Sequence, residues 1–278
     1  MRVHHLNCGT MRPLGGGLID GGPGLLRRST MVCHCLLVEA DDGLVLVDSG
    51  LGVDDVTNPK GSLAGWFRQV ARPVLDVGET AVRQVVGLGF RPEDVRHVVL
   101  THLDLDHAGG LRDFPNAKVH VYAAERGNAF AQANTRDRHR FRPAQWSHDP
   151  DWQTYETGGE PWFGFEAVHE LNGLPADEFL IVPLGGHTLG HAGVAVRTGD
   201  RWLLHCGDAY FFHGETGSAD ACPRGLRVFQ RLVETDRTTR LSNQDRLRTL
   251  VADHGTEIET ISAHDPVELH RYAAHQLH

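Results

Sequence analysis

The 278-residue sequence contains only two lysines, Lys60 and Lys118, and five cysteines. No apolar run is long enough to cross a bilayer. Each scarcity removes a class of function. An odd number of cysteines without repeating spacing does not build a disulfide framework. A formal net charge of -9 opposes a polyanionic partner, because non-specific nucleic-acid binding needs Lys and Arg to neutralise phosphates. Met1 to Cys8 lacks the apolar h-region of a secretory signal. The expectation is therefore a cytoplasmic protein with a small-molecule substrate, no nucleic acid and no membrane partner; nothing in the sequence opposes a homodimer. The one basic strip, Arg136 to Arg142, reads as a solvated surface segment. Cys33 and Cys35, two apart in an expected strand, point to one face and read as small buried hydrophobes rather than a soft-metal site.

What the chain does have is 40% apolar residues, enough for a substantial core. Turn signals separate short apolar stretches that predict strands over 3–8, 31–40, 44–47, 95–100, 118–122, 178–184, 193–198, 202–206 and 258–262. Helical spacing covers 79–88, 246–253 and 266–275, and a short helix is expected from Asp106 through Leu111. Strands and helices occur in both halves, which predicts an α/β fold of sheets flanked by helices in one domain over 1–278. Irregular insertions are expected at about 123–165 and 211–242, the first rich in aromatics that could line an apolar pocket. The glycine-rich stretch from Gly15 to Gly24 is a loop that could border a pocket or a dimer contact.

The densest chemistry lies in Thr101-His102-Leu103-Asp104-Leu105-Asp106-His107-Ala108-Gly109-Gly110. Two imidazoles and two carboxylates so close together are costly to desolvate unless a cation neutralises them. A divalent metal ion does so. Three further polar clusters each follow an apolar strand: Gly185 to His191, His205 to Asp208, and Ser262 to Asp265. Strand ends on a rigid sheet can bring such distant residues to one rim.

In this order, and with Asp48-Ser49-Gly50 ahead of them, these motifs resemble the metallo-β-lactamase superfamily of hydrolases. Its usual first motif is His-x-His-x-Asp-His, and the resemblance covers nearly the whole chain. It implies an αββα sandwich of two mixed β-sheets flanked by helices, and a hydrolase with two divalent metal ions, zinc foremost. By the resemblance, His102, Asp104 and His187 hold one ion, and Asp106, His107 and His264 hold the other. Asp208 would bridge them, and Asp106 would help orient a metal-bridging hydroxide. Among family members, the compact acyl-homoserine lactonases are most similar in layout. They place a tyrosine three residues after the bridging aspartate; Tyr210, two residues on, is the corresponding candidate to donate a hydrogen bond to the oxyanion. His191 would either pack against the site or orient a ligand, His205 would be a buried polar residue, and His213 would be either a substrate contact or a bystander.

The departure from the family pattern is Asp104, which stands where histidine is usual. With two ions, three carboxylates and a hydroxide the formal charge sums to about zero, against +1 with histidine. A more electron-rich centre would favour iron or manganese alongside zinc. The expected activity is hydrolysis of a lactone or carboxylic ester. Phosphodiesterase and thioesterase activities of the same fold are the alternatives, although the tail after His264 is too short for a glyoxalase II-type helical addition. From other classes, an iron-dependent oxidoreductase or a non-catalytic ligand sensor stays open. The sensor reading is weakened because every ligand position holds a competent residue.

Overall fold

β-Branched and leucine-rich stretches of the computed structural model, which describes residues 1–156 and 158–273, pair into two sheets of six strands each. The first contains β1 (Arg2–Asn7), β2 (His34–Ala40), β3 (Gly43–Val47), β4 (Val95–Val99), β5 (Lys118–Tyr122) and β6 (Asp151–Tyr155), in that spatial order. β1 to β3 pair antiparallel, and β3 to β6 are parallel. The second sheet runs in the order β12-β11-β10-β9-β8-β7. Its strands are β7 (Glu160–Trp162), β8 (Phe165–Glu170), β9 (Phe179–Pro183), β10 (Ala192–Thr198), β11 (Arg201–His205) and β12 (Ile258–Ile261). Only the β11–β12 pair is parallel.

Strand alternation explains the layering. On β2, Leu36 and Val38 point into the space between the sheets, where they meet Val45, Val99, Ile181 and Val194. The alternate residues Cys35 and Leu37 point outward to the layer containing Leu46, Val98, Leu103 and Phe141. A third cluster, with Phe165, Leu204 and Leu247, covers the outer face of the second sheet. A strand buried on both faces reads as a continuous apolar run, as β2 and β3 do.

The helices are α1 (Gly17–Asp20), α2 (Val53–Thr57), α3 (Pro59–Ser62), α4 (Gly65–Val70), α5 (Ala81–Gly87), α6 (Ala123–Ala131), α7 (Thr135–Arg140), α8 (Arg224–Val233), α9 (Arg237–His254) and α10 (Pro266–Ala273). None is long and apolar enough to cross a membrane. All five cysteines are free and buried. The result is the αββα sandwich of two mixed sheets.

Several local expectations are corrected. No α-helix runs from Asp106 to Leu111; a 3-10 turn forms at Gly109–Asp113 instead. The His107 carbonyl that would close the helix is taken by Ser49, whose N–H and hydroxyl both donate to it at 2.8 Å. The 123–165 stretch is not irregular: it holds α6, α7 and the edge strands β6 and β7. α7 (TRDRHR) has no apolar stripe to announce it; Asn134 starts it by accepting the Asp137 N–H at 3.0 Å. The 211–242 stretch contains α8, and α9 begins at Arg237 rather than 246. α9 buries Arg240, Asn243 and Gln244 among its contact residues, so its inward face does not look apolar in sequence.

Candidate metal centre

The four ligand-bearing segments follow β4, β9, β11 and β12 and meet at one rim. Backbone hydrogen bonds stitch them together: Ala192 N–H donates to Thr101 at 2.8 Å, and Ala263 N–H to Gly207 at 3.0 Å. The turn into Asp208 needs its glycine. Gly207 has φ +52°, and a Cβ there would lie 2.7 Å from His191 Nε2 and 2.8 Å from Thr101 Cβ.

Asp208 lies between two groups of donors. Its Oδ2 is 3.3 Å from His187 Nε2 and 3.8 Å from His102 Nε2. Asp104 Oδ2 completes this group, 3.4 Å from His102 Nε2 and 3.0 Å from His187 Nε2. Asp208 Oδ1 is 3.3 Å from His107 Nε2 and 3.2 Å from His264 Nε2, and the latter is 3.7 Å from Asp106 Oδ2. Four N/O ligands around a tetrahedral zinc-type ion are separated by about 3.3–3.6 Å. The structure thus brings together all seven residues expected to hold metal.

The surroundings fit a metal on independent grounds. His102 Nε2, His107 Nε2 and Asp208 Oδ1 are buried without a hydrogen-bond partner. An unpaired buried polar atom costs about 1–3 kcal/mol, and a cation at this point resolves all three. The opposite edges of the rings are tied down. His107 Nδ1 lies 2.8 Å from Asp48 Oδ2, His264 Nδ1 2.8 Å from the Val32 carbonyl, and His102 Nδ1 2.9 Å from Thr101 Oγ1. Because the Thr101 hydroxyl donates to Asp48, it accepts from His102. The network therefore places protons on Nδ1 and leaves three Nε2 lone pairs facing the centre.

Electrostatics show how strongly the carboxylates draw positive charge to this point. Burial opposes ionisation of Asp208, but His264, His107 and His187 together hold it well below the usual carboxylate range. Burial likewise opposes Asp48, yet the charge and hydrogen bond of His107 hold it at about 2. Asp106 is pushed up by burial, beyond what His107 and His264 offset. Burial would lower His107, but Asp208 and Asp48 raise it well above its ordinary value. The carboxylates here compete for positive charge.

Around this centre, His191 does orient a candidate ligand. Its Nδ1–H faces the Leu184 carbonyl at 2.9 Å, so Nε2 accepts the Asp208 N–H at 2.8 Å. His205 is buried and buttresses the same turn, bonding the His34 carbonyl at 2.6 Å and accepting the Gly207 N–H at 3.2 Å. His213 pairs with Asp265 at 2.7 Å. Glu125, which no sequence motif marked, accepts the Leu103 N–H at 2.9 Å and the Gly190 N–H at 3.1 Å. It joins two of the ligand-bearing loops.

Two expectations fail here. Tyr210 does not face the centre: it is buried among Phe165, Ala209 and Leu247, and its hydroxyl donates to Glu268 at 3.0 Å. The next residue, Phe211, takes the inward position, its ring 5.0 Å from that of His264. The basic strip is not all solvated. Arg140 is buried, with Nε 2.5 Å from Asp104 Oδ1 and Nη2 2.7 Å from Asp104 Oδ2. Its charge offsets that of Asp104, so the count that made the centre electron-rich was one positive charge short. Cys33 is the small buried hydrophobe expected, packed with Cys35 in the outer core, although its Sγ and the ligand atoms of Asp106 and His264 all lie within 4.8 Å of one another. Burial, then the charge of Asp106, pushes its thiol well up.

Above the centre opens a cavity of about 520 Å³ with Asp104, Asp106, His187, Asp208 and His264 on its floor. Its apolar wall includes Met11, Leu14, Trp66, Phe67, Phe211 and Phe229. That wall comes from the glycine-rich loop region, α4 and α8, not from the aromatics of 123–165. Phe130 stacks on Trp146 and meets Trp152 edge-on instead.

Residues 28–253 match the family model described as the metallo-beta-lactamase superfamily. The chain is 43% identical over 266 residues to a probable metallo-hydrolase of Mycobacterium tuberculosis, covering 96% of this chain and 81% of that one. It is 30% identical over 249 residues to the N-acyl homoserine lactonase AttM of Rhizobium johnstonii, covering 83% and 80%. A solved N-acyl homoserine lactone hydrolase, with the product N-hexanoyl-L-homoserine bound at its catalytic metal center, superposes with a TM-score of 0.71 at 19% identity, covering 97% of this chain and 95% of that one. The crossed motifs, the two six-stranded sheets and the buried His/Asp cluster agree with these likenesses: the chain belongs to the metallo-beta-lactamase superfamily and stands among its metal-dependent hydrolases.

Proposed function

We propose that the protein is a dinuclear metal-dependent hydrolase acting on a lactone or carboxylic ester with an apolar acyl portion. The observation that carries this reading is the apolar cavity ending on a floor of carboxylates and imidazoles. Among the described residues lining it there is no serine, threonine, tyrosine or cysteine. A covalent route through a side-chain hydroxyl or thiol has no nucleophile there, which favours direct attack by water.

His102, Asp104 and His187 would hold one ion, Asp106, His107 and His264 the other, and Asp208 would serve both. Zinc suits this nitrogen and oxygen donor set. When bound, such a pair supplies a hydroxide nucleophile at neutral pH and polarises the carbonyl under attack. Asp48 and the Val32 carbonyl fix the rings of His107 and His264, so these ligands do not reorganise during turnover. Asp106 would orient the nucleophile. Phe211, Phe229 and Phe67 would hold the acyl group and keep bulk water away. The N-acyl homoserine lactonase among the relatives supports an acylated lactone as the first substrate to try.

The test is turnover by the zinc-loaded protein of four panels: acyl lactones, aryl esters, thioesters and phosphodiesters. Lactone or ester hydrolysis that disappears on chelation is the expected result. Turnover confined to thioesters or phosphodiesters, or absent from all four panels, would overturn the substrate assignment.

A further inference from the structure

Arg140 is placed as no surface residue would be. Besides its two bonds to Asp104, Nη1 donates to the Val233 carbonyl at 2.7 Å and to Thr235 Oγ1 at 3.3 Å, and Nη2 lies 2.6 Å from His187 Nε2. All three guanidinium nitrogens are engaged. The fork is locked on Asp104, Val233 and Thr235; the one remaining N–H, on Nη2, faces His187 Nε2, the atom that an ion would take. It joins the end of α7 to the end of α8 across the floor of the cavity, and Phe141 next to it bridges to the backbone of Asp104.

The charges explain why a cation belongs there. Asp104, Asp106 and Asp208 contribute -3, and Arg140 brings the set to -2. That equals the charge of a set with a neutral imidazole at position 104 and no arginine.

We propose that Asp104 and Arg140 act as one composite ligand. The guanidinium fixes the carboxylate with Oδ2 toward His102 and His187 and cancels its charge, which makes Arg140 the positioning residue of the donor set. This rests on reading those residues as holding one ion. It does not depend on the substrate.

The experiment is a charge-swap cycle read by metal binding. The parent, Asp104→His, Arg140→Met and the double variant are stripped with a chelator, then titrated with zinc by equilibrium dialysis. Circular dichroism of the stripped forms checks folding. Asp104→His alone leaves an unpaired guanidinium beside the ion and is expected to weaken one of two zinc sites about tenfold or more. Adding Arg140→Met removes that cation and should recover both sites to within about threefold of the parent. Arg140→Lys, which keeps the charge without the fork, should weaken one site while the stripped protein stays folded. Equal zinc affinity in parent and Asp104→His, a double variant no tighter than Asp104→His, or an unaltered Arg140→Lys would each overturn the proposal. A merely structural arginine would not be rescued by a second substitution at 104. Because no substrate is present, this outcome and the outcome of the turnover panels are independent.

Discussion

Asp208 faces both donor groups, one oxygen to each, and its backbone N–H is held by His191. Replacing it therefore touches both candidate sites at once. Asp208→Ala should reduce bound zinc from two equivalents to below one and abolish hydrolysis; two retained equivalents by elemental analysis would show that it bridges nothing. Glu268 makes a different prediction. Burial pushes its carboxyl from an ordinary 4.5 up to about 8, although it accepts bonds from the Ser262 N–H and the Tyr210 hydroxyl. A carboxyl whose folded pKa exceeds its unfolded one favours the fold fully below pH 4.5, and that contribution is lost as pH rises toward 8. Glu268→Gln should therefore stabilise the protein at pH 8 by on the order of a few kcal/mol and change little at pH 4.5. Parallel parent and variant stability curves across this range would contradict it. At this scale the metal-ligand candidates, Asp48 and His191 were legible, because they sit in short contiguous motifs. Arg140 and Glu125 were not. Their partners Asp104 and Leu103 are 36 and 22 residues away in the chain, and only the fold brings them together.

Strands were easier to read than the elements around the cavity. β4, β5 and β12 announce themselves as apolar runs between turns, and their ends lie within a residue or so of expectation. α7 announces nothing and α9 only its second half, since the inward faces of α7 and of the first turns of α9 carry charged and amide side chains that find partners only in the folded state. α8 sits between these cases: Leu226 and Phe229 have helical spacing, but the buried Gln230 beside them breaks the apolar stripe. This helix should set substrate size. Phe229→Ala is expected to raise KM for long-acyl substrates about tenfold, the effect of roughly 1.4 kcal/mol of lost apolar contact, with kcat nearly unchanged. An equal effect on short-acyl substrates would place Phe229 outside the binding wall. In the layer between the sheets, Ile181→Ala removes a fully buried side chain and should cost about 2–5 kcal/mol, seen as a lower chemical-denaturation midpoint.

For the molecule as a whole, the two sheets act as a platform that presents four strand ends to one rim, and the loop and helical additions close a cavity over them. Tyr210 and Phe211 show how finely this division is drawn: adjacent residues face opposite layers, the first into the core and the second into the cavity. The order of the polar motifs along the sequence was enough to identify the sandwich. The cavity wall was not, because it is assembled from residues between Met11 and Phe229 that share no local pattern. The most direct measurement of the account is a zinc titration of the stripped protein while the opening of an acyl lactone is followed. Activity should rise from zero and reach its plateau at two equivalents of zinc per chain. A plateau at one equivalent, or hydrolysis by the stripped protein, would contradict a dinuclear centre built on Asp208.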